Sequence, residues 1–161
     1  MKTGIKKIFG NFKFANNMKK LRKAKVNLPL ILGVAAVNHF KEGFTKGGYQ
    51  TDASTNGWLP RKRLRRTRSG NISTSSKGAI LVGKSGGRLK KSIKILSKSW
   101  ANITIGTQGL KYAAIHNYGL MGKAFGKYPF KMPKREFIGA SHKLKNKINI
   151  IIKTEMKHIM Q

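Results

Sequence analysis

The amino-acid sequence predicts an α+β fold, in which a small antiparallel β-sheet packs with an N-terminal and a C-terminal helix and long basic loops connect the elements. Three observations indicate this class. Apolar residues recur at helical spacing near both ends of the chain. Two short segments in the middle alternate between apolar and polar residues, as half-buried strands do. The remaining stretches are rich in Gly, Ser and Lys and have no periodicity.

The N-terminal region predicts two successive helices. Residues 5–25 show apolar side chains at mixed three- and four-residue spacing, with Lys and Arg on the other face. Asn27 suits an N-cap, and Pro29 suits the first turn of a second helix. Gly43 is a natural end for that second helix. Its apolar side is the best candidate for the core in the first half of the chain.

A long loop is expected over residues 45–78, where the composition shifts to Gly, Ser, Thr, Asn and Arg. Six cations lie within eight consecutive residues near its middle, and no acidic residue is close to them in the sequence. Arginine forks bind phosphates, so we interpret this cluster as facing nucleic acid. The alternative is a solvated loop without a specific ligand. The six residues are Arg61, Lys62, Arg63, Arg65, Arg66 and Arg68.

The middle of the chain predicts a pair of strands. Residues 79–82 form a short β-type run. Residues 89–96 fit a helix or a strand, and the alternation around Ile93 and Ile95 favours a strand. Residues 102–107 alternate again, so we expect the last two segments to pair as antiparallel neighbours.

The C-terminal third predicts a short helix, a loop and a long helix. Residues 112–118 form the short helix, which ends at Gly119 with a positive φ. Residues 120–134 are expected to be a loop. Ser141 then caps the last helix, and the apolar side around Ile148 is expected to pack on the sheet. We therefore divide the chain into two parts: a basic N-terminal amphipathic helix or arm, 1–27, and a single α+β domain, 28–161.

Composition excludes several classes of function. The chain has 161 residues, 35 Lys plus Arg, 4 Asp plus Glu and no Cys, which gives a formal net charge of +31. So few carboxylates exclude paired-carboxylate hydrolysis and carboxylate-rich metal sites, and the absence of Cys excludes thiol nucleophiles and Cys-based zinc sites. Such a charge predicts an anionic partner, namely nucleic acid, an acidic protein surface or anionic lipid. The longest apolar stretch, residues 28–37, is too short to span a bilayer.

Two further sequence patterns are weak evidence for a nucleotide-binding or a metal site. Residues 78–85 have the letters of a P-loop, but the apolar residues lie between the glycines instead of before them, and two more glycines follow. A strand followed by a glycine turn is the better interpretation. The four histidines, which lack zinc-site spacing, are His39, His116, His142 and His158. We therefore expect no enzyme activity, no cofactor and no metal.

Several segments, taken in order, resemble the phage virion morphogenesis (tail-completion) family. The resemblance covers about residues 35–157 and departs from the family pattern at Gly87 and Lys134, which are extra residues. The segments are Trp58-Leu59-Pro60, Ile80-Leu81 with Ser85-Gly86, Leu89 and Ser92-Ile93, Ile103 to Thr107, the Tyr-Ala-x-Ile-His-x-x-Gly motif at Tyr112 to Gly119, and the Pro-Arg-x-Phe-type segment Pro133 to Gly139.

The resemblance implies a non-enzymatic structural protein of a tailed-phage neck, acting as a head–tail connector, tail-completion or terminator protein. Its copies would form a ring, a hexamer, around the DNA channel. Its partners would be portal- or adaptor-side neck proteins, tail-tube or terminator proteins and packaged DNA bound without sequence specificity, with no membrane. It would lie in the virion neck or tail after assembly in the host cytoplasm. The alternative, supported by charge and length, is a ribosomal-protein-like RNA- or DNA-binding module.

Eight residues are candidates for a subunit interface or for the family motif. An arginine beside an aromatic anchor is common at interface hot spots, and an aromatic residue beside small residues permits close packing. For His116 and Tyr118 the alternative is a place in the packed core. The eight are Trp58, Tyr112, Ala113, His116, Tyr118, Gly119, Arg135 and Phe137.

Overall fold

The computed structural model describes residues 14–51, 55–59, 80–82, 87–124 and 126–160. It confirms the α+β class: helices lie at both ends, and three antiparallel two-stranded ladders lie between them. The elements are α1 (Phe14–Lys46), β1 (Gly48–Gln50), β2 (Thr55–Gly57), α2 (Arg88–Ser92), β3 (Ile93–Lys98), β4 (Ile103–Thr107), α3 (Tyr112–Tyr118), β5 (Met121–Ala124), β6 (Tyr128–Lys131) and α4 (His142–Met160).

The predicted break between two N-terminal helices is wrong. Helix α1 runs unbroken for 33 residues, through Asn27 and with Pro29 inside it. Proline in a helix interior loses one backbone hydrogen bond, but Pro29 is buried, so tertiary packing outweighs the local signal. The helix also continues past Gly43 and ends before Gly47, whose φ of 70° reverses the chain.

Part of the predicted loop at 45–78 is a hairpin. Strands β1 and β2 pair antiparallel, with Tyr49 opposite Asn56. Trp58 follows directly and is buried. The short strands carry little alternation of apolar and polar residues, which is why the sequence did not reveal them. Residues 60–79 lie outside the described part of the chain, as do residues 52–54.

The expected strand pair in the middle of the chain is confirmed, with two corrections. Strands β3 and β4 are antiparallel neighbours, with Ile95 opposite Ile105. The first part of the 89–96 segment is helical, because α2 occupies Arg88–Ser92. Residues 80–82 form a turn instead of the predicted strand, and Leu81 has a positive φ of 65°.

A second unexpected hairpin replaces most of the predicted loop at 120–134. Strands β5 and β6 pair so that Met121 faces Lys131 and Gly122 faces Phe130. A Cβ atom on Gly122 would lie 2.6 Å from the Phe130 ring, so the aromatic ring rests directly on the glycine backbone. A glycine in a strand marks such a close approach, but it also lowers the strand signal in the sequence.

The core lies between α1, the β3–β4 ladder and α3. Phe44 is its centre, with its ring centroid 5.2 Å from that of Trp58 and 5.6 Å from that of Phe137. The Ser141 cap is confirmed, since its Oγ accepts a hydrogen bond from the Leu144 backbone N–H at 3.2 Å. The expected partner of α4 is wrong, however: the helix packs mainly against α1, not the sheet.

Helices α1 and α4 run antiparallel. At one end of the pair, the Lys20 ammonium group donates to the backbone carbonyl of His158 at 3.4 Å. Near the other end, the middle of α1 and the first turns of α4 line one groove. The first half of α1 therefore lies beside the last turns of α4, outside the central core.

Candidate subunit and nucleic-acid interfaces

The family-motif residues join three distant parts of the chain. The Arg135 guanidinium donates from Nε and Nη2 to the backbone carbonyl of Leu59, at 3.1 and 3.0 Å. The Trp58 indole N–H donates to the backbone carbonyl of Glu136 at 2.6 Å. These bonds fix the segment after β2 against the segment after β6, although about 76 residues separate them.

Asn117 completes this junction, and sequence reasoning missed it. Its Oδ1 accepts the backbone N–H groups of Phe137 and Ile138 at 2.9 and 3.0 Å, and its Nδ2 donates to the Ile138 carbonyl at 3.0 Å. The side chain is buried, and it forms the hydrogen bonds with these backbone groups that a neighbouring strand would otherwise form. The only signal in the sequence was its place inside the motif at residues 112–119.

Gly119 ends α3 with the positive φ that the sequence predicted, 68°. A Cβ atom there would lie 2.9 Å from the backbone nitrogen of Lys134. The next residue, Arg135, donates its backbone N–H to the His116 carbonyl at 2.8 Å. The motif therefore packs α3 against the segment 133–139 at backbone contact distance.

The candidate interface residues divide into two groups. Trp58, Ala113, Arg135 and Phe137 are buried against their own chain, where they build the core and the junction. Tyr112 and Tyr118 are exposed, so their contact with a neighbouring subunit stays a prediction.

His116 lies between these groups. It is half-buried, and its ring meets the Tyr112 ring edge-on with centroids 5.8 Å apart. Burial lowers the pKa of His116, and the charge of Arg135 lowers it further. His39 is buried in α1, and there too burial lowers the pKa of the imidazole. The folded chain therefore disfavours the protonated form of both rings.

The six cations of the predicted nucleic-acid-facing cluster, residues 61–68, lie outside the described part of the chain, so that prediction stays open. A second basic surface lies within it. Five of the seven residues from Lys19 to Lys25 are cationic, and all five side chains are exposed on the first half of α1. In the described residues, none of them has a carboxylate within ion-pair distance, whereas Lys134 pairs with Glu136 at 2.8 Å.

Neither a metal site nor a membrane span is found in the described residues. No group of three His, Cys, Asp or Glu residues there could hold a metal ion. No helix in those parts of the chain is long and apolar enough to cross a bilayer.

The comparison with known families identifies the class of this protein as a phage virion-assembly protein. The sequence profile of the phage virion morphogenesis family matches residues 19–157. The chain belongs to that family, which confirms the resemblance found in the sequence. Membership points to a structural component of the virion and not to a catalyst. No curated protein and no solved structure matches the chain significantly.

Proposed function

We propose that the chain forms a homo-oligomeric ring, a hexamer, in the neck of a tailed-phage virion and joins the head to the tail around the DNA channel. Its neighbours are portal- or adaptor-side proteins on one side and tail-tube or terminator proteins on the other. Family membership supports the role in virion assembly. The observation that carries the neck position is the net charge of +31 on 161 residues.

That charge suits a protein that surrounds DNA without reading its sequence. The five cationic side chains from Lys19 to Lys25 are exposed around the first half of α1, where ammonium and guanidinium groups can meet phosphates. Contacts of this kind are diffuse and depend on counterion release, so they attract DNA without fixing its register. A channel through which DNA must move needs binding of that type.

Ring formation is supported by apolar surface that the single chain leaves uncovered. Closed rings need head-to-tail contacts, in which one patch meets a different patch on the next copy. The described part of the chain carries two such patches on different elements, an open groove beside α4 and the hairpin β5–β6.

The ribosomal-protein-like alternative makes the opposite prediction about self-association. After nuclease treatment and purification in high salt, a ring-former stays a multi-subunit species, because salt screens the repulsion between copies. A basic RNA-binding module becomes a monomer once its nucleic acid is removed.

Two experiments test the proposal. The first measures the molar mass of the nuclease-treated protein by light scattering in high salt. The second examines the particles made by a phage that lacks the gene. We expect a multiple of the 18.0 kDa chain and, in the mutant phage, separate heads and tails that the purified protein joins. A monomer at all salt concentrations, or normal virions without the gene, contradicts the proposed function.

A further inference from the structure

An uncharged groove opens on one face of the molecule. It has a volume of about 490 Å³ and lies between the middle of α1, the start of β4 and the first turns of α4. About a quarter of all residues in the chain are charged, yet none of the groove residues is. The groove is lined by Leu32, Ala36, Phe40, Trp100, Ala101, Asn102, Ile103, Ile105, Ile138, Leu144 and Ile148.

The groove is an open edge of the core. Ala36 and Phe40 at its base are buried, whereas Ile103 and Ile148 at its sides are only half-buried. Trp100, in the turn between β3 and β4, is 53% exposed beside it. Apolar surface of this kind gains free energy when a further apolar surface covers it, by about 25 cal/mol per Å².

The β5–β6 hairpin offers such a surface. Its register places Tyr128 and Phe130 on one face with Gly122, and it places Lys123 and Lys131 on the other face with Met121. One face is therefore aromatic and uncharged, and the other is basic. The Tyr128 side chain is 68% exposed, and the hairpin makes few contacts with any other described helix or strand.

We propose that the aromatic face of this hairpin docks into the uncharged groove of the next copy of the chain, and so forms the head-to-tail contact of the ring. The inference rests on the proposed function. Each copy carries both the β5–β6 hairpin and the groove, so every subunit gives one contact and receives one, as ring closure requires.

Charge explains why this pair of surfaces meets. Copies with a net charge of +31 repel each other, and a contact that brought lysines together would add to that repulsion. The groove lining and the aromatic face of the strands carry no charged side chain, and the two strand lysines, Lys123 and Lys131, lie on the opposite face. The basic N-terminal segment 1–13, by contrast, would bring Lys2, Lys6, Lys7 and Lys13 with it.

Two equally exposed side chains of the hairpin provide a matched pair of variants. Tyr128 and Met121 are 68% and 64% exposed and lie on opposite faces. Tyr128→Ser should weaken ring association at least about tenfold, as loss of an interface anchor does. Met121→Ser should leave association unchanged. Both variants should keep the melting temperature of the monomer, which shows that folding is intact.

The contact itself can be trapped, because the natural chain has no cysteine. Lys127→Cys and Ala101→Cys place single thiols on the hairpin turn beside Tyr128 and at the exposed rim of the groove, and a short bis-maleimide can join them without removing the aromatic anchor. We expect no product from either single variant and only dimers from their mixture. The double variant should give a ladder of dimers, trimers and higher species that stops at the closed ring.

Other products overturn the inference. A cross-link within a single chain would show that the hairpin occupies the groove of its own chain. If the double variant gave dimers and no higher species, the contact would be two-fold. A link between Ala101→Cys and Ile8→Cys in place of the ladder assigns the groove to the N-terminal segment. A ring of the expected mass without any of these links leaves the proposed function standing and removes only this contact. A monomer in high salt contradicts the proposed function itself.

Discussion

Gly119 is the residue at which α3 ends and the chain turns toward the segment 133–139. Its φ is 68°, and a Cβ atom there would lie 2.9 Å from the Lys134 backbone nitrogen. Gly119→Ala therefore adds both a left-handed strain and a backbone clash. We expect a loss of about 2–4 kcal/mol in unfolding free energy, measured by urea denaturation.

Gly109→Ala is the control for this prediction. Gly109 has a similar φ of 72°, but a Cβ atom there would meet nothing within 4 Å. It should lose only the cost of the left-handed conformation, about 1 kcal/mol. Equal losses at the two positions would show that the contact with Lys134 has no energetic weight.

His39 and His116 make the stability of the fold depend on pH. Burial lowers the pKa of both His39 and His116 below the value of 6.5 that an unfolded chain has. As the pH falls below 6.5, the unfolded chain takes up protons that the folded chain does not, so the free energy of unfolding decreases. Only four carboxylates are present to add to this effect.

We therefore expect the melting temperature to fall between pH 7.5 and pH 5.5, and to fall less steeply in His116→Gln. The slope of the melting temperature against pH is compared, and not the melting temperature itself, because the substitution also changes packing. His142→Gln is the matched control, since that side chain is exposed in the folded chain. An identical slope in the parent and in His116→Gln would show that this imidazole is protonated equally in both states.

Single residues differ in how far the sequence predicted their roles. The positive φ of Gly119 was predictable, because a glycine directly after a helix commonly ends it in the left-handed conformation. The role of Asn117 was not, because its hydrogen bonds reach residues about 20 positions away. Arg135 looked like an interface residue, but its guanidinium is turned inward to the Leu59 carbonyl. Local patterns cannot show which carbonyl a buried donor will meet.

Helix α4 stabilises the fold through its contact with α1. Leu144 is half-buried in this contact and lines the groove, whereas Ile150 on the same helix is 65% exposed. Leu144→Ala should lower the unfolding free energy of the monomer by about 1–3 kcal/mol, less than a fully buried leucine would. Ile150→Ala should change it by less than about 0.5 kcal/mol. Thermal or urea unfolding under monomeric conditions measures both.

Equal effects at the two positions would contradict the packing of α4 on α1. The same pair of variants also tests assembly. Leu144→Ala should weaken ring association as well, because its side chain belongs to the groove, and Ile150→Ala should not.

The elements that the sequence predicted well have strong periodicity. The β3–β4 pair alternates clearly, and α4 carries an N-cap together with a helical apolar pattern. The two short hairpins have three- or four-residue strands that contain Gly or Pro, so their local propensities oppose the observed structure. The predicted break before Asn27 failed for the opposite reason: the strong local signal of Asn27 and Pro29 was outweighed by the burial of Pro29.

For the whole molecule, the balance of charge sets the conditions of assembly. Each chain carries a net charge of +31, so bringing copies together costs electrostatic energy unless salt or an anionic partner screens it. Salt should therefore strengthen ring formation by the free protein while it weakens DNA binding. DNA in the channel would supply the same screening in the virion, which couples ring closure to the presence of DNA.

The basic stretch on α1 provides the last prediction. If it binds DNA through phosphates, the triple substitution Lys19→Gln, Arg22→Gln and Lys23→Gln should weaken binding equally for unrelated sequences. The slope of log K against log salt should decrease by about 0.9 for each phosphate that the variant no longer neutralises. The same measurement on Arg63→Gln, Arg65→Gln and Arg66→Gln tests the predicted loop cluster. All three α1 side chains are exposed, so the fold should persist.

The control removes the same charge elsewhere. Lys94, Lys98 and Lys111 are exposed outside α1, and their triple change to Gln lowers the net charge by the same three units. If the α1 stretch is a DNA-binding surface, its variant should show a larger drop in affinity and in salt dependence than this control. Equal drops in the two variants would mean that DNA affinity depends only on the total charge of the protein. A drop confined to one DNA sequence would mean that these side chains reach base edges, which contradicts a channel that must let any sequence pass.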